Sequence, residues 1–433
     1  MTRFRIKGQQ PLTGTIEVQG SKNAATPLLA SALLATKPCT FTNVPEIEDV
    51  NRIIELLRSV GATVSRPAAH SVTVNAASVD PDRLAFSLVR TLRSSVLLMG
   101  ALLGRCQRIR LPSPGGDQIG ARPLAAHLDA FRELGIATRQ TGETHELTQE
   151  RREDVVLTMS EFSVTATENV ILASVLANGH RTVLHCAAAE PSVQDLCWFL
   201  LACGARIEGV GTHHLIITGV SVLNPPPTYE VMPDPVEAGT LVCLAAAARS
   251  SLVIKNFPTF LYSELQKFRE VNVHFELDRL RLSSSKSYQL ADVVVRPSTG
   301  LRAVRHVHGM PYPGFYDDLL PPFTVLLTQA SGTSLVHDWM YEGRLKYIEE
   351  LSKMGAQIFV ADPHRILVTG PSALYGAEIT SYDIRAGASL LIAALIAQGT
   401  SVIGPIYQID RGYERIDQRL NVLGASIERV PEA

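Results

Sequence analysis

The stretch Ala388-Ser389-Leu390-Leu391-Ile392-Ala393-Ala394-Leu395-Ile396-Ala397-Gln398-Gly399 decides the fold. Between Ala388 and Ala397 only Ser389 is polar. A helix that is apolar on every side has no face to give to water and belongs inside a domain. Gln398-Gly399 stops it, and the pattern then predicts a strand over 401–403. An amphipathic helix over 413–423 follows, is stopped by Gly424-Ala425, and leads into a strand over 426–430.

This order occurs six times. The stop recurs as Gly61-Ala62, Gly204-Ala205 and Gly355-Ala356, is altered to Gly135-Ile136 and is eroded to Val271-Asn272. Glycine there suits a left-handed helix cap. The spacing of about 70 residues is too long for a common solenoid repeat. It suits a unit of two helices and several strands, a βαβαββ-type module. The nearly all-apolar helices are expected at 24–35, 96–103, 170–177, 241–247, 323–327 and 388–397. With apolar helices inside and one-sided helices against sheets, the predicted class is α/β, with the helices inside and the sheets outside.

The proline run Val222-Leu223-Asn224-Pro225-Pro226-Pro227-Thr228 reads as a stiff linker between the two sets of three. The predicted domains are 22–230, carrying a mobile loop at 111–123, and 1–21 with 231–433, with a substrate cleft between them. The opening strands, 4–8 and 14–18, are expected to pair with the C-terminal half. At 433 residues the chain exceeds one ordinary core. A net charge of −2 gives no basic field for nucleic acid or acidic lipid. The six cysteines form no CxxC pair and read as buried thiols of a reducing compartment. No apolar signal segment or membrane span is visible, so a cytoplasmic protein is expected.

The buried helices open with polar residues: Ser21-Lys22-Asn23, Arg93-Ser94-Ser95, Ser163-Val164-Thr165, Asp317-Asp318 and Asp383-Ile384-Arg385. Helix N-termini carry free N–H groups and attract anions. The loop Leu111-Pro112-Ser113-Pro114-Gly115-Gly116-Asp117-Gln118-Ile119-Gly120-Ala121-Arg122-Pro123 cannot be helical. It reads either as a lid bearing a carboxylate, Asp117, and a cation, Arg122, or as an exposed turn. Lys22, Arg93, Arg122, Arg344, Arg385 and Arg411 recur at matched positions of the repeat. That recurrence favours a binding site for a polyanionic small molecule over isolated surface ion pairs. No Walker loop, complete dinucleotide motif, HExxH or carboxylate cage is present, so neither cofactor nor metal is expected. His127 reads as a helix-face residue.

Several segments together resemble the UDP-N-acetylglucosamine 1-carboxyvinyltransferases, an enolpyruvyl transferase family. They are Gly20-Ser21-Lys22-Asn23-Ala24-Ala25, the loop from Gly115 to Pro123, Ser163-Val164-Thr165-Ala166-Thr167-Glu168-Asn169 and Glu190-Pro191-Ser192-Val193-Gln194-Asp195. Pro311-Tyr312-Pro313-Gly314-Phe315 and Ile409-Asp410-Arg411-Gly412-Tyr413-Glu414-Arg415 complete the series. The resemblance implies a fold of two inside-out α/β barrels of three units each, in keeping with the repeat, and transfer of the enolpyruvyl group of phosphoenolpyruvate to the 3′-hydroxyl of UDP-N-acetylglucosamine, the step that opens peptidoglycan synthesis. It implies Asp318 as base near the sugar hydroxyl and Asp117 as acid. Lys22, Arg122 and Arg411 hold phosphoenolpyruvate, with Arg385 close by, and Asn23 positions the substrate. Arg93, the Arg122-Pro123-Leu124 run, Ser163, Val164, Thr165 and Met340 line the sugar-nucleotide site, and Arg344 is expected among the substrate-binding cations by its place in the repeat. It also implies that the domains close and draw the lid over phosphoenolpyruvate.

Three departures from the family pattern stand out. Asp117 occupies a lid position where cysteine is usual, so the epoxide fosfomycin, which alkylates that thiol, is expected to fail. Tyr316-Asp317-Asp318 replaces a usual Pro-Thr-Asp. Asp318 keeps the family distance to Phe323 and is taken as the base, with Asp317 the alternative. Pro235 stands where arginine is common. Two other readings remain: the related transferase acting on shikimate 3-phosphate, whose glycine-rich loop is missing here, and a silent paralogue that binds the UDP-sugar without turnover.

Overall fold

A computed structural model describes residues 2–115 and 123–431. They divide into an outer unit, 2–19 with 233–431, and an inserted unit, 20–115 with 123–232. In the inserted unit the paired helices are α1 (Lys22–Ser31) and α2 (Glu48–Ser59), α3 (Leu97–Leu103) and α4 (Ala125–Glu133), α5 (Val164–Ser174) and α6 (Pro191–Ala202). In the outer unit they are α7 (Pro235–Ala247) and α8 (Tyr262–Glu270), α9 (Leu320–Leu327) and α10 (Tyr347–Lys353), α11 (Ile384–Ile396) and α12 (Ile416–Val422). Each unit carries three small sheets. The six-fold repeat read from the sequence is therefore present.

The first helix of each pair is the buried one. Every residue of α3, α7 and α9 is buried. The second helix keeps an exposed face, as in α2, where Val50, Ile53, Ile54, Leu56 and Leu57 are buried and, of the charged residues, only Asp49 is buried with them. Strands alternate as a half-buried sheet must. In Glu378–Thr380 only Ile379 is buried.

The opening strands do pair with the C-terminal half. Thr2–Lys7 lies antiparallel between Thr400–Gly404 and Ser426–Pro431, with Phe4 opposite Ile403 and Arg429. Thr13–Glu17 runs parallel to Ser251–Pro258, with Ile16 opposite Ile254.

Helix ends show how the local sequence sets the pattern. α5, α7, α9 and α11 start three to six residues earlier than apolar content predicts. At three of them a polar side chain caps the first turn. Ser163 accepts from Ala166, Asp234 from Val236 and Glu237, and Asp383 from Arg385 and Ala386. The polar lead-in is thus the first turn itself. Conversely α12 starts late, because Arg415 takes a left-handed conformation (φ 40°) that interrupts the helix expected from residue 413. At the stops, Gly61, Gly204, Gly355 and Gly424 all have φ near 100°. The eroded stop turns the same way, with Asn272 at φ 69°, since asparagine tolerates this region better than most side chains.

The proline run is not a free linker. Lys37 donates to Asn224, Thr40 N to Pro227 O, and Thr228–Glu230 forms a parallel strand beside Cys39–Thr42. Residues 222–230 therefore belong to the inserted unit, tied down by backbone hydrogen bonds. The Glu190 to Asp195 segment helps to hold them. Asp195, fully buried in α6, accepts from Tyr229 Oη at 2.7 Å and from Met232 N at 3.2 Å. Burial raises its carboxyl to about 7 despite these bonds. Among the described residues no helix is long and apolar enough to cross a membrane.

Inner helices approach closely, and Gly100 in α3 shows the need. Its N–H donates to Asn169 Oδ1 at 2.7 Å, and a Cβ there would sit 2.4 Å from Asn169 O. Alanine would add about 1 kcal/mol of helix propensity, but forcing two packed helices apart costs about 1–3 kcal/mol. Gly100→Ala is expected to destabilise the protein by about 1–2 kcal/mol net in urea unfolding. A stabilised variant would refute the close-packing account.

Candidate active site

In the inserted unit the candidate residues gather at the helix N-termini. Ser21 caps α1, accepting from Ala24 N, and places Lys22 and Asn23 in the first turn. The Lys22 ammonium pairs with Asp49 Oδ2 at 3.0 Å. Asp49 lies in the first turn of α2 and its side chain is 5% exposed. The sequence reading missed it, because one aspartate in an amphipathic helix carries no signal of burial.

Arg93 begins the 3-10 turn Arg93–Val96 that leads into α3. Its Nη2 lies 3.5 Å from Pro123 O, so two of the expected site residues meet. Leu124 follows as the N-cap of α4. Ser163 caps α5, placing Val164 and Thr165 in its first turn.

His127 joins these helices. It is 2% exposed, its Nδ1 is 2.9 Å from Asn169 Nδ2, and its Nε2 is 3.2 Å from Thr165 Oγ1. Asn169 Oδ1 already accepts from Gly100 N, so Nδ2 is the donor to His127 Nδ1. The proton of the neutral ring then sits on Nε2 and points at Thr165. Burial, with Arg93 adding to it, lowers His127 to about 3. The histidine is a neutral strut between α4 and α5 rather than an acid or base. Asn169 was the available sequence signal, as the last residue of the Ser163 segment.

In the outer unit charge dominates. Asp317 and Asp318 lie on the 3-10 turn Asp317–Leu319 at the head of α9. Glu264 of α8 fixes the approach by accepting from Tyr316 N at 2.5 Å. Burial raises the Glu264 carboxyl to about 7. Arg344, 4% exposed, sits on the turn before α10. Its Nη1 donates to Asp317 Oδ2 at 3.0 Å and its Nη2 to Asp318 Oδ1. Asp338 Oδ2 lies 3.8 Å from Nη1, and the guanidinium stacks 4.6 Å from the Tyr341 ring centre.

Arg385, in the first turn of α11 and 4% exposed, donates Nε to Asp318 Oδ2 at 3.0 Å and Nη1 to Tyr413 Oη at 3.2 Å. Asp318 is therefore gripped by two arginines, one on each oxygen. Burial opposes charge on Arg344, but Asp318, Asp317 and Asp338 outweigh it and hold the guanidinium protonated. For Asp317 burial is the largest influence and raises its pKa. Arg344 pulls it down, Asp318 and Asp338 push it up, and it settles at about 6.

Asp338 was not anticipated. It is 1% exposed, and its Oδ1 accepts from Met340 N and Tyr341 N, both at 3.2 Å. It shapes the loop that carries Met340. Arg411 is 6% exposed at the end of the one-turn helix Tyr407–Asp410, with Nη1 2.9 Å from Gln408 Oε1. The structure thus joins Asp318, Arg344 and Arg385 in the outer unit, and Arg93, Pro123 and Thr165 around His127 in the inserted one. Asp117 and Arg122 lie outside the described residues.

Comparison with known proteins places the chain in a family. The sequence profile of the family described as EPSP synthase (3-phosphoshikimate 1-carboxyvinyltransferase) matches residues 6–420. The chain is 41% identical to a UDP-N-acetylglucosamine 1-carboxyvinyltransferase of Bradyrhizobium diazoefficiens, covering 99% of this chain and 98% of that one. It is 39% identical to the protein of that name from Treponema pallidum, covering 99% of each. Among solved structures, the enolpyruvyl transferase NikO from Streptomyces tendae superposes with a TM-score of 0.87 at 25% identity, covering 100% of this chain and 99% of that one. EPSP synthase from Acinetobacter baumannii superposes at 0.77 with 18% identity over the full length of both, a likeness of fold.

The buried His127 gives a pH test. Its folded pKa lies below the unfolded value of 6.5, so its contribution to stability is complete above about pH 6.5 and is lost as pH falls toward 3. The loss should reach roughly 2 kcal/mol between about pH 6.5 and 5. Thermal unfolding of His127→Gln should show a shallower fall across that range than the parent. Parallel curves would assign the acid sensitivity elsewhere.

Proposed function

Because this chain belongs to the UDP-N-acetylglucosamine 1-carboxyvinyltransferase family, we propose that it moves the enolpyruvyl group of phosphoenolpyruvate onto the 3′-hydroxyl of UDP-N-acetylglucosamine and releases phosphate. The observation that carries the reading in the structure is Asp318. It is a carboxylate held at the head of a buried helix, with Arg344 and Arg385 fixing both of its oxygens.

The chemistry assigns roles to the remaining groups. Asp318 accepts the proton of the sugar hydroxyl as its oxygen bonds to C2 of phosphoenolpyruvate. C3 takes a proton in the same addition, and Asp117 is the acid the sequence offers for it. Elimination then returns that proton and breaks the bond from C2 to the phosphate oxygen. Lys22, Arg122, Arg385 and Arg411 balance the carboxylate and the departing phosphate. Preorganised cations stabilise negative charge as it moves onto a leaving group. Asn23 orients the reacting atoms. Arg93, Pro123, Leu124, Ser163, Val164, Thr165, Met340 and Arg344 line the sugar-nucleotide site, with His127 holding Thr165 in place. Reduced thiols and water-soluble substrates fit a cytoplasmic setting.

The family profile also covers the shikimate 3-phosphate enzymes. Relatives named UDP-N-acetylglucosamine 1-carboxyvinyltransferase, 37–41% identical over 99% of this chain, favour the UDP-sugar. Phosphate release from phosphoenolpyruvate should require UDP-N-acetylglucosamine and fail with shikimate 3-phosphate. The opposite preference overturns the proposal, and UDP-sugar binding without phosphate release marks a silent paralogue. Asp318→Asn should lower turnover by about a thousandfold.

Fosfomycin should leave the enzyme unmodified, since a carboxylate stands at the lid tip. Burial also raises the thiols of Cys39 and Cys203 to about 12, and those of Cys197 and Cys243 further, which suppresses the reactive thiolate. Intact mass after exposure to fosfomycin should be unchanged. An adduct on the lid, or rapid inactivation, would contradict this.

A further inference from the structure

Asp317 is one of this chain's departures from the family pattern, and it faces the same guanidinium as the base. We propose that Asp317 is a positioning residue for Asp318, sharing the Arg344 fork with it and offsetting the arginine's charge so that Asp318 keeps its strength as a base. The inference rests on the transferase reading given above.

Geometry carries the argument. Arg344 gives one fork nitrogen to each aspartate, Nη1 to Asp317 and Nη2 to Asp318. Asp338 does not compete for the fork. Its Oδ1 is occupied by two backbone N–H groups, while Oδ2 stays 3.8 Å from Nη1 and makes no hydrogen bond. Arg385 is the second cation on Asp318. Two guanidinium groups on one carboxylate stabilise its anion and weaken it as a base. Neighbouring negative charge reverses part of that effect, and Asp317 brings it closest to the shared nitrogen fork.

The groups facing Asp317 come from several elements. Asp318 lies on its own turn, Arg344 on the turn before α10, and Asp338 on the loop after the strand Gly332–His337. Gly309, after the strand His306–His308, backs it without a charge. Together with Arg385, this group sets three carboxylates against two cations. Asp317 is the one raised to about 6. As pH falls through that value it takes a proton, its share of the offset disappears, and more of the Arg344 charge acts on Asp318, with Asp338 still 3.8 Å from the guanidinium.

Asparagine keeps the shape of Asp317 and removes its charge, so Asp317→Asn imitates the protonated form at every pH. With UDP-N-acetylglucosamine and phosphoenolpyruvate, kcat of the parent should exceed that of Asp317→Asn by about three- to tenfold near pH 8, because a stronger base takes the proton faster. The ratio should shrink toward one near about pH 5. KM for the sugar should stay within about twofold, and Asp317→Glu should restore most of the rate near pH 8. A ratio that does not vary with pH overturns the proposal, whether the variant is fully active, uniformly slow or dead.

A second measurement does not depend on turnover. The folded pKa of Asp317 lies above its ordinary value, so the stability it contributes is complete below about pH 4 and is lost as pH rises through about 6. The unfolding midpoint of Asp317→Asn should therefore gain on that of the parent between about pH 4.5 and 7. A constant difference counts against the inference. If the parent releases no phosphate, the transferase reading fails, and this second measurement still decides whether Asp317 carries the shared charge.

Discussion

A helix buried on all sides can show polar groups only at its ends. That constraint organises both units. α3, α7 and α9 have no exposed residue, so nothing along their length can touch a soluble substrate. Their first turns can, and there the unbonded N–H groups already require polar partners. Lys22, Arg93, Ser163, Asp318 and Arg385 all lie within or beside such first turns. The candidate site thus follows from the packing scheme: a core of helices, with chemistry confined to the rims.

The two units meet the constraint differently. The inserted unit holds its rim with neutral hydrogen bonds running from Gly100 through Asn169 and His127 to Thr165. Such a chain stays rigid because each buried polar atom has a partner. The outer unit holds its rim with charge, through Arg344, Arg385 and three aspartates. Buried ion pairs are weak evidence for stability, because removing charges from water offsets their attraction. Their persistence here points to function. The family's chemistry supplies the reason, since a step that moves a proton and expels phosphate needs charges fixed in advance.

Much of this was legible in the sequence. Apolar runs with period-free hydrophobicity gave the inner helices, the Gly-Ala stops gave the repeat, and a series of short motifs gave the family. Polar lead-ins such as Ser163 and Asp383 marked the helix ends at which the candidate residues sit. The boundaries were less legible. The proline run at 222–228 reads as a linker by composition, yet its residues bond to Lys37 and Thr40. Arg415 delays the start of a helix by adopting a left-handed conformation that its side chain does not advertise.

The sequence by itself determined the class of fold, the number of repeats, the family and the types of residue at each rim, because these rest on periodicity and local capping, which act over a few neighbours. Only the tertiary structure decided which charges meet. Asp49 against Lys22, Asp338 beside Arg344, and Arg385 on the second oxygen of Asp318 join residues separated by 27, 6 and 67 positions. Electrostatic energy depends on distance in space and on burial, and neither can be read along the chain until the helices have packed.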